Sequence, residues 1–169
     1  MTSRVETYTI GYQDRGTAQT LKVMTRLVND SLLDPNVREY VKGIVKYANP
    51  RNNVELAQTI NDWLAEHFMF LRDPSGIELL HTPAYTLGQI QKIGYFQADC
   101  DDFAILAASM VKAVGMPATF VVLEFPQGRG EFGHVYTIAK VNQKWYPFDR
   151  NVQYPPGDVS IIRKSYWDI

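Results

Sequence analysis

The chain divides by the period of its apolar residues. As far as Gly115 they recur at three- and four-residue intervals, and beyond it they alternate. From Thr17, the positions Leu21, Met24, Leu27, Val28 and Leu32 predict a first helix that stops near Asp34. Pro35 suits a first helical position. Val37, Tyr40, Val41, Ile44 and Val45 then continue a second stripe up to the Asn49–Pro50 break. Asn53 reads as the cap of a third helix, with Leu56, Ile60, Trp63, Leu64, His67 and Phe68 on one face before Asp73, Pro74 and Gly76. A central helix is predicted from an Asp99 cap through Phe103, Leu106, Ala107, Met110, Val111 and Val114, closed by Gly115 as C-cap and followed by Pro117. Residues 5–12 (VETYTIGY) read as a short strand or extended arm ahead of a polar turn at Gln13 to Gly16.

After the central helix the period becomes two, and residues 118–125, 133–141 and 144–150 read as three strands. Helices first and strands last predict an α+β fold, with the central helix packed on a C-terminal antiparallel sheet, since parallel βαβ units would alternate. The expected organisation is one domain over residues 1–169, with an N-terminal helical part over 1–75 and a core carrying the chemistry over about 76–155.

Composition narrows the function classes. At 46% hydrophobic and 21% charged, the chain is an ordinary globular sequence, neither disordered nor fibrous. Its 17 basic and 18 acidic residues show no Lys/Arg block, so neither nucleic acid nor a membrane surface is an expected partner. One cysteine excludes a disulfide scaffold and suits a reducing, cytoplasmic setting. No leader or membrane span is expected.

That cysteine, Cys100, stands in the run Asp99-Cys100-Asp101-Asp102. Asp99 as N-cap, with Asp102 three residues on in imitation of a capping box, puts Cys100 in the first helical turn. Unpaired N–H groups and the helix dipole favour a thiolate there, lowering a value of about 8.5. The flanking carboxylates oppose it, so a cationic partner is needed. His134 and Asp149 are placed to supply one. If the hairpin turns about Asn142 and Gln143, Val141 faces Lys144, Tyr136 faces Asp149, and His134 faces Asn151. His134 and Asp149 are then diagonal neighbours on one sheet face, about 7–8 Å apart at Cβ. Cys100 as nucleophile, His134 as base and Asp149 as the residue that orients the ring make an acyl-transfer constellation, with the Cys100 N–H as one oxyanion donor. Gln97, Tyr95 and Gln91 are the upstream candidates for a second donor.

The other polar candidates carry less. His67 reads as core or rim packing, His81 as isolated in a loop, and Trp145 and Tyr146 as sheet-face packing. Tyr136 and Phe132 either wall a cleft beside His134 or fill the core. The segment 126–133 (PQGRGEFG) reads equally as a substrate-selecting loop and as a plain hairpin connection. Asp99, Asp101 and Asp102 lack the alternating oxygen ligands and central glycine of a calcium loop, so no metal and no cofactor are expected.

Asp-Cys-Asp-Asp heading a helix that ends in Ala-Val-Gly-Met-Pro-Ala, then Gly-His-Val-Tyr, then Lys-Trp-Tyr-Pro-Phe-Asp, resembles the transglutaminase-like superfamily over roughly Trp63 to Arg150. The resemblance implies a papain-like fold with the catalytic Cys, His and Asp carried onto Cys100, His134 and Asp149. RDPSGIELLHTPAYTL followed by DCDD resembles the version encoded by tailed bacteriophages and prophages, which implies phage structural proteins as partners and a virion-associated location. This chain has Ala98-Asp99 where many relatives have Gly-Asp, and Val135-Tyr136 where many have Ala-Trp. Gly94 stands in the place of a papain-type glutamine. The expected activity is cysteine-dependent acyl transfer, in the sense of amide or peptide-bond hydrolysis on a peptide or protein substrate. The alternatives are a cross-linking transglutaminase and a non-catalytic binding or structural module of a phage particle.

Overall fold

The computed structural model describes residues 6–11, 13–125, 132–149 and 163–169. Three helices come first, α1 (Gln13–Leu33), α2 (Pro35–Ile44) and α3 (Asn53–His67). Helix α1 begins at Gln13, so the expected polar turn is its first turn. Residues 6–11 form neither helix nor strand. The arm is tied down where Gly11 N–H donates to Gln19 Oε1 at 2.7 Å and where Glu6 meets Arg26 at 2.9 Å. Asp34 caps α2 by accepting from Asn36 N–H. The cap of α3 is Asn52, one residue before the expected Asn53: Asn52 holds the extended backbone that a cap requires, and its side chain accepts from Val54 and Glu55 N–H.

A short strand, β1 (Phe68–Phe70), follows α3, so Phe68 leaves the helix and pairs in parallel with Phe96 of β2 (Phe96–Ala98). Between them lies a helix absent from the sequence expectation, α4 (Pro83–Ile93). Its ends are ordinary, with Thr82 accepting from Tyr85 N–H, Pro83 in the first turn and Gly94 left-handed at φ 92°.

The central helix is α5 (Cys100–Ala113), capped by Asp99, and its residues from Asp102 to Val111 are all buried. It ends at Val114, with Gly115 one position further on at φ 85° and Met116 N–H returning to Val111 O. Its apolar surface is covered by α1, α3 and the sheet formed by β3 (Ala118–Glu124), β4 (Phe132–Val141), β5 (Lys144–Phe148) and β6 (Arg163–Asp168). The sheet order is β5-β4-β3-β6, antiparallel throughout. The architecture is α+β as expected.

The β4–β5 register is the predicted one, from Val141 opposite Lys144 to Thr137 opposite Phe148. Asn142 and Gln143 both take positive φ, 47° and 68°, the two-residue turn whose twist suits a hairpin. Strand β6 was not expected, because its RKSYWD sequence is polar. It forms the charged edge beside β3, and Trp167 Nε1 donates to Thr25 Oγ1 of α1. A smaller apolar cluster of Val121, Leu123, Phe125 and Ile138 lies apart from the main core, with Tyr136 against it. Among the described residues no helix is long and apolar enough to cross a membrane.

Gly16 shows how tightly the arm sits on α1. A Cβ built on it would lie 2.2 Å from Gly11 O. In an open helix Gly→Ala stabilises by about 1 kcal/mol. Here Gly16→Ala is expected to do the opposite and lower the urea midpoint, with the arm more readily cut by protease.

Candidate active site

The start of α5 is charged and half-buried. Asp99 takes an extended backbone, and its side chain accepts from Asp101 N–H at 3.2 Å, the expected cap. Asp102 does not complete a capping box. Its fully buried carboxylate accepts from His81 N–H at 2.7 Å and pairs with His81 Nδ1 at 2.6 Å, so His81 is not isolated either. The His81 ring stacks on Tyr85 and meets Phe96 edge-on, and its bond to Asp102 raises its pKa. This clamp fastens the irregular segment 71–82 to the first turn of α5.

That segment brings two further acids to the cysteine. Carboxylate oxygens of Asp73, Glu78 and Asp99 lie within 4.8 Å of one another. Asp73 also accepts from Leu79 N–H, and Glu78 borders the same cavity as Asp101. Burial, reinforced by Asp73 and Glu78, pushes Asp99 up to about 7, and burial with Glu78 raises Asp101 well above the carboxylate range. Such groups resist ionising together.

Cys100 Sγ donates to Asp101 Oδ1 at 3.4 Å. Burial, then the charges of Asp101 and Asp99, push its thiol well up, opposed by Val135 N–H donating toward the sulfur. The helix end does not offset the burial and these carboxyl groups.

His134 stands on β4 just after a pairing irregularity that steps from Leu123–His134 to Glu124–Phe132 and leaves Gly133 unmatched. Such bulges re-aim the next side chain. His134 Nε2 lies 3.0 Å from Asp149 Oδ2, the diagonal contact expected from the hairpin register. Its Nδ1 is buried and has no hydrogen-bond partner among the described residues, so no hydrogen bond joins it to Cys100. Cys100, His134, Asp99, Asp101 and Glu78 border one cavity of about 360 Å³, whose other wall is the arm at Ile10 and Gly11 with Thr17 and Thr20 of α1.

The family described as the transglutaminase-like superfamily matches residues 38–150, a span that holds Cys100, His134 and Asp149. The chain belongs to the transglutaminase-like superfamily. Two solved structures share its fold. One is a candidate protease from Parabacteroides distasonis, with a TM-score of 0.59 at 12% identity, covering 78% of this chain and 26% of that one. The other is a candidate cysteine protease from Cytophaga hutchinsonii, with a TM-score of 0.57 at 16% identity, covering 77% and 42%. The chain thus spans about a quarter and about two fifths of their lengths. No curated protein sequence matches it.

Within this transglutaminase-like core the upstream residues fall elsewhere than expected. Gln91, Tyr95 and Gln97 are exposed, and none of them borders the cavity. Gln91 sits on α4, Tyr95 just before β2, and Gln97 faces outward on β2. The upstream polar residues that do border it are Thr17 and Thr20, brought there by α1 packing on α5. Tyr136 is half-buried, stacked on His134 with centroids 5.9 Å apart, and Lys164 Nζ lies 5.8 Å from its ring. His67 stacks on Trp63 as rim packing, and Tyr146 packs on the core while Trp145 is exposed. Residues 126–131, the side chain of Phe132, and Asn151 lie outside the described residues. No spacing in the sequence links Asp73 and Glu78 to Cys100; the Asp102–His81 clamp brings their segment there.

The clamp has a testable pH signature. Asp102→Asn keeps an acceptor for His81 N–H and removes the charge, at an expected cost of about 2 kcal/mol in urea unfolding. A raised imidazole contributes stability that is present below its ordinary value of about 6.5 and lost as pH climbs through the raised one. The gap between wild type and variant is therefore larger at about pH 6 than at about pH 9.

Proposed function

We propose that the chain is a cysteine-dependent acyl-transfer enzyme that hydrolyses amide or peptide bonds, with Cys100 as nucleophile, His134 as general base and Asp149 as its orienting partner. The observation that carries the proposal is the pairing of His134: Nε2 is held by Asp149, while the buried Nδ1 has no partner among the described residues and the ring borders the same cavity as Cys100. A proton fixed on Nε2 leaves the Nδ1 lone pair as the base. Family membership and the shared fold agree with this chemistry.

In the proposed reaction the Cys100 side chain turns from Asp101 toward His134, and Nδ1 takes the thiol proton. The sulfur bonds to the acyl carbon as the carbonyl becomes an oxyanion. The Cys100 N–H, at the first position of α5, has no intrahelical acceptor and is free of the helix ladder to meet that oxygen. The C–N bond then breaks and the amine leaves with the proton from Nδ1. Water then gives its proton to Nδ1 as its hydroxyl bonds to the acyl carbon, the C–S bond breaks to release the acid, and Nδ1 returns the proton to the sulfur. An amine in place of water turns the same cycle into transamidation.

Alkylation of Cys100 by iodoacetamide tests the base. At neutral pH His134→Ala is expected to slow it about tenfold or more, the low end of what a positioned base supplies or below. Asp101→Asn is expected to speed it, because an amide N–H can donate to a thiolate that the carboxyl group holds in its protonated form. Equal rates in wild type and His134→Ala would overturn the proposal and leave the non-catalytic module, whose thiol stays bonded to Asp101.

A further inference from the structure

The ionisable side chains around Cys100 are one-sided in kind. The whole chain is nearly balanced at a net charge of -1, yet the cavity is bordered by Glu78, Asp99 and Asp101, with no Lys or Arg among the described residues that border it. Asp73 stands behind Glu78 and Asp99. Independently of the carboxylates, the same cavity borders His134, nine-tenths buried, whose Nδ1 has no hydrogen-bond partner among the described residues. A buried, unsatisfied nitrogen marks a place where a ligand group arrives, and the acids lie beside it around the thiol.

We infer that this cavity selects an acyl donor carrying a fixed positive charge, an ammonium or guanidinium seated among Glu78, Asp99 and Asp101 next to the reacting carbonyl. The inference rests on the acyl-transfer reading for the word "donor" only. The selected charge is a recognition group on the substrate and not the attacking amine, and it takes no part in bond making. A cleft lined by one sign of charge between low-dielectric walls concentrates counter-charged ligands and raises their association rate by about 10 to 10³. An anionic substrate meets the opposite effect. The same cation favours the ionised forms of Asp99 and Asp101 and offsets their opposition to a Cys100 thiolate. Substrate binding thereby relieves a cost that the empty site carries.

The probes are a matched pair of methanethiosulfonates, one bearing a 2-(trimethylammonium)ethyl group and the other a 2-sulfonatoethyl group. Each transfers its thioalkyl group to the Cys100 sulfur to form a disulfide and expels methanesulfinate, so only the charge differs. The quaternary nitrogen cannot act as a nucleophile. Rates on the full chain are divided by those of the same reagents on 2-mercaptoethanol. The expected result is a normalised preference for the cationic reagent of about tenfold or more at low salt, falling as salt screens it. Glu78→Gln, on an exposed loop position, is expected to shrink the preference, whereas Glu39→Gln, the same charge change on α2, leaves it intact. A normalised ratio near one, or equal loss in Glu39→Gln, would overturn the inference. So would stoichiometric calcium binding by wild type that Glu78→Gln abolishes, since the acids would then be a metal site. His134→Ala is expected to slow both reagents alike and keep the ratio, so failure here and failure of the acyl-transfer reading are separate results.

Discussion

A helix buried along ten consecutive residues, Asp102 to Val111, has to be covered on every side, and the rest of the chain is arranged to do it. The sheet lies on one side of α5, α1 and α3 on others, and α4 and β2 close the region near its start. Burial of Phe103, Ile105, Leu106 and Met110 stabilises by about 1.5–3 kcal/mol per large side chain, so the helix position is not negotiable. The consequence for chemistry is that Cys100, two residues before that run, cannot be fully solvated. Low polarity at the thiol follows from the packing demand and is not a feature added for reactivity.

Burial then sets the electrostatic problem. The dipole of α5 favours an anion at Cys100, but its effect is about 0.3–1 kcal/mol and fades within the first turn. Desolvation and two flanking carboxylates outweigh that, and the thiol is pushed well up. The site as it stands holds its proton. Whatever ionises the sulfur has to come from outside the helix, and β4 supplies both available groups, the Val135 N–H that points to the sulfur and the imidazole one residue earlier. The two arrive together because consecutive residues of one strand carry them, and Thr137 Oγ1 fastens that strand to Ala104 O of α5 at 2.8 Å.

What the sequence disclosed depended on the range of the interaction. Periodicity found α1, α2, α3, α5 and the three strands of the sheet that are apolar enough to show it. The Asn142–Gln143 turn fixed the His134–Asp149 contact because a two-residue hairpin permits a single register. Helix α4 carried readable end signals at Thr82-Pro83 and Gly94, but its three short turns were lost among turn-forming residues. Strand β6 is polar and owes its existence to the free edge of β3, and β1 and β2 are three residues each. The oxyanion candidates Gln91, Tyr95 and Gln97 lie close to Cys100 in sequence, whereas the cavity takes its upstream wall from α1, about eighty residues away. The role of Asp102 was misplaced for a similar reason: a local cap was the obvious partner, and His81, twenty-one residues upstream, outcompeted it by offering two donors in a buried setting.

The cavity is therefore built from two kinds of parts. Cys100, His134 and Asp149 sit on or at the ends of α5, β4 and β5, whose spacing is set by core packing and ladder hydrogen bonds. Glu78 and Asp73 sit on an irregular segment held by a few polar contacts, the Asp102–His81 clamp and the Asp73–Leu79 bond. On the proposed reading, the rigid frame fixes the geometry that bond making needs, while the loop, held by replaceable contacts, sets the charge that a substrate would meet. Changing the loop alters which molecules enter without disturbing the sulfur and the imidazole. Changing α5 or β4 disturbs both. On the proposed acyl-transfer reading, the acids of segment 71–82 are the part of the site that can change while the sulfur and the imidazole stay where core packing puts them.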